Sequence, residues 1–249
     1  MEYLHLLMLF AIGTVAGMLN VMAGGGSTLT LPALIFLGLD SALANGTNRV
    51  AILVQNIFAI LSFRQQKFHE FKTSFKLALW TLPGGIAGAL VAVTMDDQWF
   101  QRILAIVLIG VIISMIFYSK NRATQQLENS KARQWLVYPA MLGIGFYGGF
   151  IQVGVGFLLM AALFHLLRCS LVFVNMHKVF IVFIYTIPAL GIFIWSGNVD
   201  WQLGLSLAAG NSLGGWWAAR LSVKKGERII RLVLILAIFI MALKLLNVF

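Results

Sequence analysis

The chain has 249 residues, 60% of them hydrophobic and 10% charged, whereas soluble domains carry roughly 25% charged residues. That composition, with a mean hydropathy of +0.92, excludes a water-soluble globular domain. The 18 Lys and Arg outweigh 8 Asp and Glu, leaving a net charge of +10, but the basic residues sit in gaps between apolar segments rather than in one patch, which excludes a nucleic-acid surface. A single cysteine, Cys169, excludes an internal disulfide and a cysteine metal cluster.

Taken in chain order, the first apolar segment covers 4–22 and is preceded by Glu2 with no basic residue, so it reads as a retained helix more than a cleavable signal peptide. A glycine cluster, Gly24-Gly25-Gly26-Ser27-Thr28, leads into a short apolar segment at 29–39 and a polar turn, Asn45-Gly46-Thr47-Asn48-Arg49. Apolar segments follow at 50–63, 77–95 and 103–119, then the longest polar stretch, 120–134, which is too small to bury a core. The second part repeats the order: 136–153, then Gly154 and Gly156, a short segment at 157–167, a polar turn ending in Asn175-Met176-His177-Lys178, and segments at 179–195, 203–219 and 229–246. Most are near the ~20 residues that cross ~30 Å of hydrocarbon as a helix. Lengths and uniform apolarity rule out barrel strands, and open sheet edges are not tolerated in lipid. The expected class is an all-α, polytopic membrane protein.

The repetition is exact at several positions. A shift of 130 residues carries Asn45 onto Asn175, Asn48 onto Lys178, Gly26 onto Gly156 and Gly84-Gly85 onto Gly214-Gly215. It also relates Gln55 to Tyr185, and Asn20 and Gln152 precede the two glycine clusters in similar places. The expected organisation is a first transmembrane repeat at 1–119, a cytoplasmic linker at 120–134 and a second repeat at 135–249.

Charge placement gives the expected topology. The gaps at 64–76, 120–133, 168–178 and 220–231 are basic, whereas Asp96-Asp97 and 196–200 hold carboxylates. The positive-inside rule puts the basic loops in the cytoplasm. An odd number of segments per repeat then inverts the second copy, with ten segments in all, or about eight spanning helices if the short ones are half-helices, and both termini outside. The expected location is the plasma (inner) membrane, multi-pass.

In such duplicated membrane proteins the substrate site lies near the midplane where the halves meet, beside broken helices. Candidate binding residues are Gly24, Gly25, Gly26, Ser27, Thr28, Asn45, Thr47, Asn48, Arg49 and Gln55 in the first copy, with Gly154, Gly156, Asn175, His177 and Lys178 in the second. Glycines permit a tight turn and close approach, and a half-helix N-terminus favours an anion. Each feature has a second reading. The glycines also allow close helix packing, Arg49 is a snorkelling side chain in the alternative view, and Lys178 is an inside-positive anchor.

The run Gly13-Thr14-Val15-Ala16-Gly17, Gly24-Gly25-Gly26-Ser27, Pro32, Gly38 and Ala44-Asn45-Gly46-Thr47-Asn48, together with the paired glycines at Gly84-Gly85 and Gly214-Gly215, resembles the TauE/SafE sulfite-exporter family. The resemblance extends over essentially the whole chain. It implies a carrier of a small sulfur-containing or organic anion, such as sulfite or a sulfonate. Met176-His177-Lys178 departs from the family's Gly-Thr-like step.

No Walker motif, HExxH pair or cluster of Asp, Glu or His is present. No catalytic residue, metal site or cofactor is therefore expected, and the partners are a small anionic substrate and membrane lipid. The leading expectation is a secondary transporter working by alternating access. The alternative is a non-transporting membrane subunit or an intramembrane enzyme using His177 or Ser27.

Overall fold

A computed structural model describes residues 2–68, 70–116, 135–167 and 169–225. The expected linker at 120–134, Arg168 and the last apolar segment at 229–246 lie outside the described residues.

All regular structure among the described residues is helical. The elements are α1 (Glu2–Met22), α2 (Ser27–Phe36), α3 (Ser41–Gln65), α4 (Phe71–Thr94), α5 (Asp97–Ile116), α6 (Val137–Phe150), α7 (Val155–Leu167), α8 (Leu171–Trp195) and α9 (Trp201–Lys225). Helices close every interior backbone hydrogen bond within one segment, which is what lipid demands. Four of them, α1, α3, α4 and α8, are long and apolar enough to cross a membrane. With 10 and 13 residues, α2 and α7 are about 15 and 20 Å long at 1.5 Å per residue, too short to span alone.

One expectation needs correction. The polar stretches 45–49 and 175–178 are not turns; both lie inside helices, in the early turns of α3 and α8. The helices run on through them because these side chains are buried, and Asn45, Thr47, Asn48, Arg49, His177 and Lys178 find partners on other segments in place of water. Nor do Ser27 and Thr28 supply a side-chain cap for α2, whose N-cap is Gly26.

Helix packing depends on glycine. Built Cβ atoms on Gly13 and Gly17 of α1 would meet the backbone of Leu207 and Asn211 on α9, and those on Gly210 and Gly214 would meet Phe10, Thr14 and Met18. The same arrangement joins α4 to α6, where Gly84 and Gly88 lie on Leu142 and Phe146, and Gly145 and Gly149 on Thr81 and Gly85. Residue numbers rise together in both pairs, so each pair runs parallel. Gly85 faces the Tyr185 side chain and Gly215 faces Gln55, contacts that exchange under the 130-residue shift (85 + 130 = 215; 185 − 130 = 55). The packing reading of the later glycine pairs accounts for these contacts.

Two apolar clusters fill the bundle. One gathers Met22, Phe63, Leu77, Met141, Leu159 and Val179; the other gathers Leu9, Leu34, Ala44, Phe100, Phe193 and Leu207. Outside them, Tyr3, Leu7, Phe36, Trp80, Ile106, Trp195 and Trp217 are exposed, as expected where the surrounding solvent is lipid. Asp97 accepts from the Ser41 amide at 2.7 Å, and the Asp200 amide donates to Thr47 at 2.9 Å. Both acidic gaps therefore close on the first part of α3. Hydrogen bonding from Ser41, with a smaller part from Gln101, holds the Asp97 carboxyl below its ordinary range.

Two expected outcomes follow from this packing. Gly149→Ala places a methyl against the Gly85 carbonyl and should destabilise the bundle by about 1–3 kcal/mol or more, whereas Gly191→Ala, with nothing near its added Cβ, should be neutral or slightly stabilising; equal melting temperatures in detergent for the two variants would refute the packing account. A depressed carboxylate stabilises the fold fully above its unfolded pKa and stops doing so as pH falls through the lowered folded value. The Asp97→Asn variant should therefore melt below wild type near neutrality and match it in strong acid, as read by thermal melts across pH.

Candidate functional site

The interior polar site is made by two helix breaks that meet. After α1, Gly24 turns the chain with φ +87 before α2; after α6, Gln152 and Gly154 do so with φ 63 and 71 before α7. Gly24 lies directly on the backbone of Gly156, so a Cβ on either would collide with the other. Gly25 rests on the Phe157 ring, and Gly26 on Ala16 and Asn20. Gly24, Gly25 and Gly156 thus permit close approach between the two breaks, and Gly26 lets α2 fold back on α1.

A broken helix leaves its last carbonyls without intrahelical partners, and in an interior without water that is costly. Arg49, fully buried on α3, donates to the carbonyls of Gly148 at 3.1 Å, of Gly149, and of Phe150 at 3.5 Å, and to Gln152 Oε1 at 3.3 Å. Asn45 Nδ2 adds a bond to the Phe150 carbonyl at 2.8 Å. The guanidinium sits 4.8 Å from the Phe193 ring centre. Lys178 on α8, 2% exposed, does the same for α1: its Nζ donates to the carbonyls of Asn20 at 3.0 Å and Val21 at 2.7 Å, and to Asn175 Oδ1 at 2.9 Å. The caps correspond under the shift, since Asn20 maps to Phe150 and Lys178 to Asn48, next to Arg49. Each half carries the basic residue that closes the other half's interrupted helix.

Side-chain pairs tie the breaks together. Asn20 Nδ2 donates to Gln55 Oε1 at 3.2 Å, and the Tyr185 hydroxyl donates to Gln152 Oε1 at 3.2 Å. Thr30 Oγ1 donates to Asn48 Oδ1 at 2.7 Å. Four buried donors in this region have no acceptor: Asn48 Nδ2, Arg49 Nε, Gln55 Nε2 and Asn175 Nδ2. Against them stand two unpartnered amide oxygens, on Asn45 and Asn211. Among the described residues no carboxylate is buried; Asp40, Glu70 and Asp96 are exposed, while Asp97 and Asp200 are partly covered at helix starts.

Of the residues singled out from sequence, the structure gathers Gly24, Gly25, Gly26, Gly154, Gly156, Asn45, Asn48, Arg49, Gln55, Asn175 and Lys178 around the two breaks. Three others point elsewhere. Thr28 Oγ1 turns back to the Gly25 carbonyl at 2.6 Å, and Thr47 Oγ1 is taken by Asp200. His177 Nδ1 pairs with Ser74 Oγ at 2.7 Å on α4. Ser27 is buried in the first turn of α2. Missing from the sequence list were Gln152, Tyr185 and Asn20, although their positions relative to the glycine clusters and the 130-residue shift had already marked them, and Phe193 and Asn211, which carry no local signal.

The chain matches the family described as Sulfite exporter TauE/SafE over residues 9–245. It is 29% identical over 244 residues to "Probable membrane transporter protein ORF9" of Sinorhizobium sp, covering 97% of this chain and 93% of that one. It is 27% identical over 245 residues to a "Probable membrane transporter protein" of Haemophilus influenzae, covering 96% and 93%. Over 240 residues it is 27% identical to "Probable membrane transporter protein YfcA" of Escherichia coli strain K12, covering 96% and 88%. No solved structure matches it significantly. The chain belongs to the TauE/SafE family of membrane transporter proteins.

Removing a buried cap strands the carbonyls it served, at about 1–3 kcal/mol for each group left unsatisfied. Arg49→Met should therefore lower the melting temperature more than Lys178→Met: it strands the carbonyls of Gly148 and Gly149 while Phe150 keeps the Asn45 amide, whereas Lys178→Met strands only that of Val21 because Asn20 keeps the Gly24 N–H. Arg49→Lys should recover part of the loss. Melts in detergent that leave Arg49→Met unchanged would exclude the capping role.

Proposed function

We propose that this member of the family is a secondary transporter of a small anion, sulfite, a sulfonate or a related sulfur-containing or organic anion, which it carries by alternating access across the plasma membrane. The observation that carries the reading is the excess of buried donors: Asn48 Nδ2, Arg49 Nε, Gln55 Nε2 and Asn175 Nδ2 lack acceptors, beside two basic side chains and with no buried carboxylate among the described residues. Unsatisfied interior donors cost free energy that a ligand acceptor offsets. An oxyanion offers several acceptor oxygens and a negative charge together, which suits that deficit better than a cation or a neutral donor does. The family's description supplies the sulfite class.

Alternating access needs two halves that rock against each other about the site. Counterpart helices α3 and α8 support an inverted relation. Gly46 and Arg49, near the start of α3, lie on Phe193 near the end of α8, while Phe68, just beyond α3, stacks 5.2 Å from Phe173 at the start of α8. The two helices are therefore antiparallel. The anion would sit between Asn45, Asn48, Arg49 and Gln55 from one half and Gly154, Gly156, Asn175 and Lys178 from the other, driven by its own gradient, the membrane potential or a coupled proton. Binding there would compete with helix carbonyls for the two basic side chains, linking occupancy to the breaks that hold the halves together.

Gln55→Glu tests this without disturbing a cap. The variant keeps the oxygen that accepts from Asn20 but replaces the unpartnered donor with an acceptor carrying negative charge. Wild-type protein should be stabilised by sulfite or a short alkylsulfonate, by about 2.7 kcal/mol at a hundred times the dissociation constant, and should move that anion in sealed vesicles. Gln55→Glu buries a carboxylate and should still fold with a lower melting temperature, and from that baseline should show no anion-induced stabilisation and no transport. Unaltered anion uptake by the variant, or a wild-type protein indifferent to the whole anion panel, would remove the proposal.

A further inference from the structure

A surface groove lies outside the polar centre, on the flank where α1, α3 and α9 meet. It encloses about 540 Å³ and is walled by Phe10, Val54, Phe58, Leu205, Leu213 and Trp216 among others, a size within the roughly 300–1,000 Å³ of small-molecule sites. Apart from the indole N–H of Trp216, Ser212 is the polar side chain in the wall, and its hydroxyl is occupied by the Ala208 carbonyl at 2.6 Å. The lining is otherwise apolar, which suits an apolar occupant within the slot.

One end of the groove has the opposite character. One turn beyond Trp216, the guanidinium of Arg220 lies over the Trp216 ring at 5.4 Å, and Lys224 follows one turn later, exposed like Arg220. Ser62 on α3 donates to the Trp216 carbonyl at 3.0 Å, which brings exposed Arg64 to the same end. Neither 58–65 on α3 nor 205–225 on α9 contains an acidic residue, so nothing on these two faces neutralises the three basic groups. An apolar slot with basic residues at its mouth matches a molecule that joins a hydrocarbon chain to a phosphate. Arginine's planar fork suits phosphate oxygens, and the tryptophan ring holds the guanidinium at the level where chain gives way to headgroup.

We propose that this groove is a binding site for an anionic glycerophospholipid, with an acyl chain between Phe10 and Trp216 and the headgroup phosphate on Arg220, Lys224 and Arg64. Zwitterionic lipids fit the slot equally well but bring a cationic group to a mouth with no carboxylate among the described residues, so charge complementarity selects the anionic class. The site is independent of the transported substrate. It nevertheless borders the polar centre, because Val54 precedes Gln55 and Ser212 follows Asn211, both of which carry unpartnered buried atoms.

The test uses full-length protein delipidated in neutral detergent, with phosphatidylglycerol and phosphatidylcholine of matched chains added in turn, binding being read by native mass spectrometry and thermal stabilisation. Phosphatidylglycerol should bind preferentially, and Arg220→Gln with Lys224→Gln should reduce that preference by roughly fivefold per basic residue removed. Ala209→Trp, at an exposed groove residue, should fill the slot and abolish retention of both lipids while Arg220 is intact. Equal binding of the two lipids by wild type, or an unchanged preference in the double glutamine variant, overturns the proposal. So does a shift in oligomeric state caused by Ala209→Trp, which would make the groove a contact between copies.

Discussion

The structure turns on one constraint: a helix that stops inside a membrane protein exposes carbonyls that water cannot reach. Here the ends of α1 and α6 are closed by Lys178 and Arg49, each supplied by the opposite half of the chain. A basic group at a helix C-terminus is doubly favourable, since it donates hydrogen bonds and meets the negative end of the helix dipole. This accounts for two buried basic residues without buried carboxylates, an arrangement that would otherwise be prohibitive. It also joins the halves at their centre through bonds that neither half can make alone.

Close approach is the condition for those bonds. Arg49 reaches the end of α6 in a bundle where Gly145 and Gly149 let α4 and α6 touch along their backbones, and Gly24 and Gly156 let the breaks themselves come into contact. Apolar burial provides no comparable drive between helices in lipid, where packing and interhelical hydrogen bonds carry association. The glycines and the caps are thus parts of one device. Its polar centre retains buried donors without acceptors, the surplus that the proposed anion would offset.

The periphery follows a different physics. Around the bundle, exposed Trp, Phe and Leu face hydrocarbon, and basic residues collect at the end opposite the Asp97 and Asp200 contacts with early α3. The groove between α1, α3 and α9 belongs to this outer shell, yet its wall is made of residues adjacent to those of the polar centre. A lipid seated there would act on the seam between α3 and α9, the same seam in which Gly215 packs on Gln55.

By itself the sequence determined the class and the chemical inventory. Apolar lengths force helices in lipid; the shift of 130 residues related Gln55 to Tyr185, and Asn20 and Gln152 stood in similar places before the two glycine clusters, and these positions reappear as two hydrogen-bonded pairs. It misplaced the polar stretches 45–49 and 175–178, because a local reading treats Asn, Thr and Arg as residues that leave a helix for water. Only the tertiary structure decided that they remain helical, since their partners lie about a hundred residues or more away: Arg49 at Gly148, Lys178 at Asn20. Thr47 and His177 show the same limit, for each carries suitable chemistry and each is occupied by a partner no local pattern reveals, Asp200 and Ser74. Periodicity reports which solvent a segment prefers, whereas the partner of a buried polar atom is fixed only when distant segments are brought within hydrogen-bond reach.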